Sequence, residues 1–277
     1  VRAKLIPVVA SLGCLIAAPA SSAAAGGTPQ EVSITIARGS VSVAGTAESG
    51  AARIRTSAAE GLSEPAPVLV LLDPGVKPGE LVALLAADGA RDANSVSRFG
   101  TIVFDAPLRP GTESEAQISL AAGSYVALNA EGEHSSSWSH TSFTVSASGA
   151  PDRLPAPAAV EKTLDFAFKG PRTLHDGELV RFVNEGVLAH MQELLPARGR
   201  RSAEALVRSL LIGHERAAER LVSAAPVILA GPLSGGAFQQ ARVMAPPGWY
   251  VQVCPLHTQD GRSEAQLGME RVIRVLS

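Results

Sequence analysis

Two stretches of this chain, 125 positions apart, carry the same β pattern. Residues 111–129 read GTESEAQISLAAGSYVALN and residues 236–254 read GAFQQARVMAPPGWYVQVC. They align without a gap and share Gly111/Gly236, Ala116/Ala241, Gly123/Gly248, Tyr125/Tyr250 and Val126/Val251. Each alternates apolar and polar residues at period two, breaks at a Gly-containing turn and resumes, as strands of half-buried sheets do. The same alternation runs through VSITIARGSVSV from Val32, and the apolar runs APVLVLL and ELVRFVN read as further strands. Upstream, LVLLDPGVKPGELVALL from Leu69 sets against LVRFVNEGVLAHMQELL from Leu179, and Gly79 is the expected counterpart of His190. A strand pattern used twice predicts two copies of one all-β sandwich, each a Greek key, in residues 26–150 and 161–277. PDRLPAPAAV, residues 151–160, is Pro- and Ala-rich without periodicity and reads as the linker between them.

One segment breaks the all-β pattern. SAEALVRSLLIGHERAAERLVS, residues 202–223, sets Leu206, Leu210, Leu211, Ala217, Ala218 and Leu221 on one face at helical spacing. Ser202 is a suitable N-cap, so an α-helix is expected over 202–222, inserted into the second sandwich and laid across its end. His214 within it reads as a solvated or helix-capping residue rather than a ligand.

Residues 1–25 have the form of a secretory signal: Arg2 and Lys4, an apolar run from Leu5 to Ala18, then small residues with cleavage-compatible Ala20 and Ala25. A lipoprotein anchor at Cys14 is disfavoured by Ser11, where such signals carry a branched aliphatic residue. Export is therefore expected, to the periplasm, the cell envelope or outside the cell, with no membrane-spanning segment after the signal. Removing the signal leaves 22 basic against 26 acidic residues, a net charge of about −4, which disfavours nucleic acid as a partner. It also leaves Cys254 as a lone cysteine, to be buried, metal-bound, reactive or paired between chains.

Catalytic signatures are missing from the sequence. It has no GxSxG, no phosphate-binding Gly loop, no HExxH, no CxxC and no HxH pair, so an enzyme is not expected.

Three motifs of the second half, ELVRFVNEGVLAH, PPGWYVQVC and LGMERVIRV, resemble those of the cupredoxins, the plastocyanin- and azurin-like blue copper domains. The likeness is closest to bacterial exported relatives with a helix inserted between the ligand strands. In that family the first motif brings a histidine just after a strand, the second a cysteine at the end of the next-to-last strand, and the third an axial methionine at the start of the last. The resemblance thus implies one copper ion held by His190, Cys254 and Met269, since a blue copper site combines a thiolate, two imidazoles and a weak thioether. The second imidazole departs from the pattern. The family position five residues before the methionine is Glu264; the available histidine is His257, three residues after Cys254. Either His257 completes the set, at the cost of a long TQDGRSEAQLG excursion, or the carboxylate of Glu264 does. The first half is expected to be a degenerate copy without metal ligands: Asn129 stands where Cys254 does, and His134 and His140 read as solvated loop residues. The implied role is electron transfer or copper handling outside the cytoplasm, with a redox or envelope protein as partner. The alternative is a metal-free sandwich serving as an interaction module.

Overall fold

The computed structural model describes residues 28–45, 47–88, 92–130 and 138–277; the signal-peptide reading, Cys14 and His134 fall outside them. The first half contains β1 (Gln30–Ala37), β2 (Ser40–Ala44), β3 (Gly50–Ala58), β4 (Pro67–Leu72), α1 (Pro78–Asp88), β5 (Gly100–Asp105), β6 (Glu113–Leu120), β7 (Gly123–Asn129) and β8 (His140–Val145). The second contains β9 (Ala159–Leu164), β10 (Ala167–Lys169), β11 (Thr173–His175), β12 (Leu179–Asn184) and β13 (His190–Ala197). It continues with α2 (Arg200–Leu211), α3 (Glu215–Leu221), β14 (Val227–Leu233), β15 (Phe238–Arg242), β16 (Gly248–Val253) and β17 (Glu270–Leu276).

The strand order shows the duplication directly. The first half builds one layer in the order β2-β1-β3-β6 and another in the order β5-β4-β7-β8; the second builds β10-β9-β12-β15 and β14-β13-β16-β17, with β11 added beside β17. Parallel pairing of β1 with β3 recurs as β9 with β12, and every other equivalent pair is antiparallel. Between the layers of the first half lie Val32, Ile34, Ile54, Phe104, Ile118 and Tyr125; between those of the second lie Leu174, Phe182, Leu194, Tyr250 and Ile273. The repeated tyrosine closes the same corner twice. Tyr125 hydroxyl donates to the Ala121 carbonyl at 3.0 Å, and Tyr250 hydroxyl to that of Pro246 at 2.6 Å.

The two sandwiches share one sheet. Strands β6 and β15 pair antiparallel, Ala116 opposite Ala241 and Gln117 opposite Gln240, so the eight-stranded order β10-β9-β12-β15-β6-β3-β1-β2 reads the same from either end. Ala116 and Ala241 are the same position of the repeat, so a local two-fold axis runs through that pair.

The upstream alignment does not hold: the run from Leu69 forms β4, which is the equivalent of β13 and not of β12, and β3 is the equivalent of β12. Registers make the point: Val68 faces Leu128 as Glu193 faces Val253, each pair displaced by the same 125 positions. The counterpart of His190 is therefore Pro65, and Gly79 lies in α1.

Helices sit in the equivalent connection of each half, β4 to β5 and β13 to β14. In the first half, α1 and a 3-10 helix over Ala93–Arg98 lay Leu81, Leu85 and Val96 on the outer face of β4, β5 and β7. No helical periodicity marks this helix, whose GELVALLAA apolar run is nearly continuous. In the second half the expected single helix is two. Gly213, at φ +68° in the left-handed region, ends α2, and α3 restarts after His214. The cap is Gly199 rather than Ser202, and Leu211 points to solvent. Ala203, Leu206 and Ala218 pack on Val251 and Val253, so the pair covers the outer face of the sheet and not its end.

Candidate metal centre

His190 opens β13, immediately after the loop 185–189. That loop is pinned by Asn184, whose amide nitrogen donates to Leu188 and Leu233 carbonyls at 2.7 and 2.8 Å and whose oxygen accepts from Gly186 N at 2.9 Å. Cys254 directly follows β16, and Met269 directly precedes β17. Between them a 3-10 turn, Glu264–Leu267, is fixed by a reciprocal cap: Gln266 N donates to Ser263 Oγ at 3.3 Å and Ser263 N to Gln266 Oε1 at 2.8 Å. Glu264 N donates to the Leu256 carbonyl at 2.8 Å and Met269 N to that of Glu264 at 3.0 Å, which aims the Glu264 side chain inward.

Three ligand atoms converge as a result. One from each of His190, Cys254 and Glu264 lie within 4.8 Å of one another, and all three residues are buried. His190 Nδ1 and Glu264 Oε2 are 2.7 Å apart, and Met191 N donates to Cys254 Sγ at 3.3 Å. Met269, fully buried, packs with Met191 against Cys254. On its other side His190 Nε2 meets Asp165 Oδ1 at 3.0 Å, and that oxygen also accepts from Val187 N and Leu188 N. Gly186 makes this approach feasible: a Cβ there would stand 2.5 Å from Asp165 Oδ1 and 2.9 Å from His190 Nε2.

His257 is not brought to the cluster. It is exposed, at the neck of a small hairpin where it bridges Ser263. Thr258 N donates to the Arg262 carbonyl at 2.9 Å, and Arg262 grips Asp260 through Nε and Nη2 at 2.9 and 2.6 Å. The long excursion after Cys254 thus closes on itself and leaves the inward position to Glu264. His214 is also exposed, and His140 lies on β8 with its ring 3.4 Å from the Trp138 carbonyl.

Charge in the cluster is arranged around His190. Burial works against its protonation, but hydrogen bonding and charge from Glu264 and Asp165 prevail and hold its pKa above the ordinary value. Burial, reinforced by the Glu264 carboxylate, pushes the Cys254 thiol well up. Burial also works upward on Asp165, yet the Leu188 amide, His190 and the Val187 amide keep it below the usual range. The His190 imidazole thus lies between the Glu264 and Asp165 side chains, beside a thiol that burial keeps from ionising. The donor set nevertheless fits a soft-to-borderline metal ion: imidazole nitrogen, thiolate and carboxylate in mutual reach, with a thioether close by. Binding would displace the protons of His190 and Cys254.

The repeated strand order, with Cys254 ending the next-to-last strand and Met269 opening the last, decides the architecture. The fold is cupredoxin-like. No family model and no curated protein matches the sequence. Similar solved structures include a copper-containing nitrite reductase from Thermus scotoductus SA-01, at 12% identity and a TM-score of 0.26, over 90% of this chain and 68% of that one. They also include a reduced Cu(I) form of an amicyanin variant, at 13% identity and a TM-score of 0.25, over 44% of this chain and 85% of that one. Auracyanin B is a third, at 18% identity and a TM-score of 0.23, over 45% and 93%.

Among the described residues, the first cupredoxin-like half keeps the scaffold of this centre but lacks its histidine and thiol. Asn129 replaces Cys254, Ala66 replaces Met191 and Pro65 replaces His190 in the common register. The amide N–H of Ala66 donates to Asn129 Oδ1 at 2.9 Å, as that of Met191 does to the Cys254 sulfur. Asparagine supplies a neutral acceptor where the thiol stands in the other half. The first half still reaches the centre, because Asn94 Oδ1 accepts from Ala189 N, next to His190, at 2.7 Å.

Proposed function

We propose that the chain is an exported, non-enzymatic copper protein. One ion would be held by His190, Cys254 and Glu264, with Met269 as a weak fourth donor. Copper in such a site supplies one-electron exchange, so the role would be electron transfer with a redox or envelope protein, or copper handling outside the cytoplasm. The observation that carries this reading is the convergence of those three ligand atoms beside the Met269 thioether in a buried pocket. The signal-like residues 1–25 support export, and among the described residues no helix is long and apolar enough to cross a membrane.

Titration with Cu(II) tests it. One equivalent should bind and give a strong visible band from sulfur-to-copper charge transfer. Cys254→Ser should abolish the band, because a hydroxyl is a hard and poor replacement for a thiolate. His257→Ala should leave it unchanged. The competing reading, a metal-free interaction module, is favoured by a different observation: both ring nitrogens of His190 are already matched by carboxylates and the sulfur by an amide. It predicts no saturable copper binding and no band.

A further inference from the structure

The two halves also meet where β5 lies against β14. Ser234 N donates to the Ile102 carbonyl at 3.1 Å, and Ile102 N to Ser234 Oγ at 2.9 Å. Gln239 embraces the Asp105 backbone, accepting from its N–H at 3.3 Å and donating to its carbonyl at 3.2 Å. Beside this contact is a cavity of about 130 Å³. Val70, Val96, Leu128 and Trp138 of the first half line it, and Pro232 and Leu256 of the second complete the wall.

Among the described residues, two carboxylates and no basic side chain line this otherwise apolar space: Asp92 and Asp105. Asp92 is satisfied, since its Oδ1 accepts from the Asn94 backbone and side-chain amides, both at 2.9 Å. Asp105 is not. The residue is 6% exposed, and Oδ1 has no hydrogen-bond partner among the described residues. Burial pushes its carboxyl well above the usual range. A buried carboxyl oxygen without a partner is destabilising, and an alanine here would spare the fold that cost.

We propose that this cavity between the halves binds a compact organic ammonium ion, its nitrogen donating to the Asp105 carboxylate and its carbon skeleton filling the apolar space. Size follows from volume. An engineered cavity of about 150 Å³ takes up benzene, so a guest of about six heavy atoms fits here. A bare divalent cation does not suit a hydrocarbon wall, because it needs about six or more oxygen ligands. An anion finds no basic partner among the described lining residues. An indole at the wall is also suited to a cation.

The test uses the full chain and an isosteric pair, cyclopentylammonium and cyclopentanol, titrated while following the Trp138 indole resonance by NMR. Saturable binding of the ammonium is expected, at least tenfold tighter than that of the alcohol. Asp105→Asn should weaken the ammonium at least tenfold and leave the alcohol within about twofold. The proposal fails if the ammonium does not saturate, or if the alcohol binds the unmodified protein as tightly, which would make the site an apolar cavity alone. It fails equally if Asp105→Asn binds the ammonium undiminished. The comparison of the two guests on the unmodified protein decides the matter even if the variant does not fold.

Discussion

Glu264→Gln separates the roles of Glu264 as a hydrogen-bond acceptor and as a metal donor. The side chain is 1% exposed and faces a His190 side chain that is fully buried, 2.7 Å away. Glutamine keeps an oxygen in reach of Nδ1 but removes the charge. A hydrogen bond to a charged group is worth about 1.5–3 kcal/mol and a neutral one about 0.5–1.5, so the metal-free protein should lose about 1–2 kcal/mol. In a chain of this size that lowers Tm by roughly 2–8 °C. Copper adds a larger effect. At a free concentration of about 100 times Kd, the unmodified protein gains about 2.7 kcal/mol. An amide oxygen is a poor substitute for a carboxylate ligand; if affinity falls about 100-fold, the gain at the same copper concentration shrinks to about 0.4 kcal/mol. Calorimetric melting with and without Cu(II), alongside the visible spectrum, measures both terms. A variant that keeps the whole copper-induced shift and an unchanged band would remove Glu264 from the ligand set.

Other expectations follow from the packing. Leu206→Ala, under α2 and fully buried against Val251 and Val253, should cost about 3–5 kcal/mol by urea denaturation; a loss below about 1 kcal/mol would mean that the helices do not hold the sheet. Gly186→Ala should drive Asp165 away from His190, and NMR titration of the His190 ring should then show a lower pKa; an unmoved titration would refute the close approach. Burial pushes Glu270 from 4.5 up to about 7. Its folded carboxyl therefore holds a proton more tightly than the unfolded one, and that contribution is complete below about pH 4.5 and lost as pH rises through about 7. Glu270→Gln lacks this loss, so its stability relative to the unmodified protein should grow across that window. A pH-independent difference would count against it.

What the sequence disclosed depended on whether a residue carried its own register mark. The stretch from Gly111 and the stretch from Gly236 contain turn glycines and the two corner tyrosines, and the alignment they imply lands β6 on β15 and β7 on β16. Cys254, the last residue of that anchor, is carried by it to the end of β16. The run from Leu69 has no such mark. One apolar strand looks like another, so its pattern matches β12 as readily as β13, and α1 beside it carries no periodicity of its own. The choice between His257 and Glu264 was beyond reach for a different reason. Spacing along a chain counts residues, but inward or outward direction is set by a hairpin closed through Asp260 and Arg262 and by the cap at Ser263. The buried Asp105 was equally silent, because its burial is created by the second half.

The pairing of Ala116 with its own repeat equivalent bears on what happens if the chain is divided. Each half alone would present an open strand edge whose amides and carbonyls lack partners, and exposed edges recruit whatever strand fits them. The best-fitting strand for either is a second copy of itself, because the seam is already a near-self-complementary join. Separated halves should therefore form homodimers through β6 or β15 in place of stable monomers. Covalent linkage spares the chain that constraint: only one partner of the seam needs to be compatible with the other. One sandwich is thereby free to lose its donors while the other keeps them.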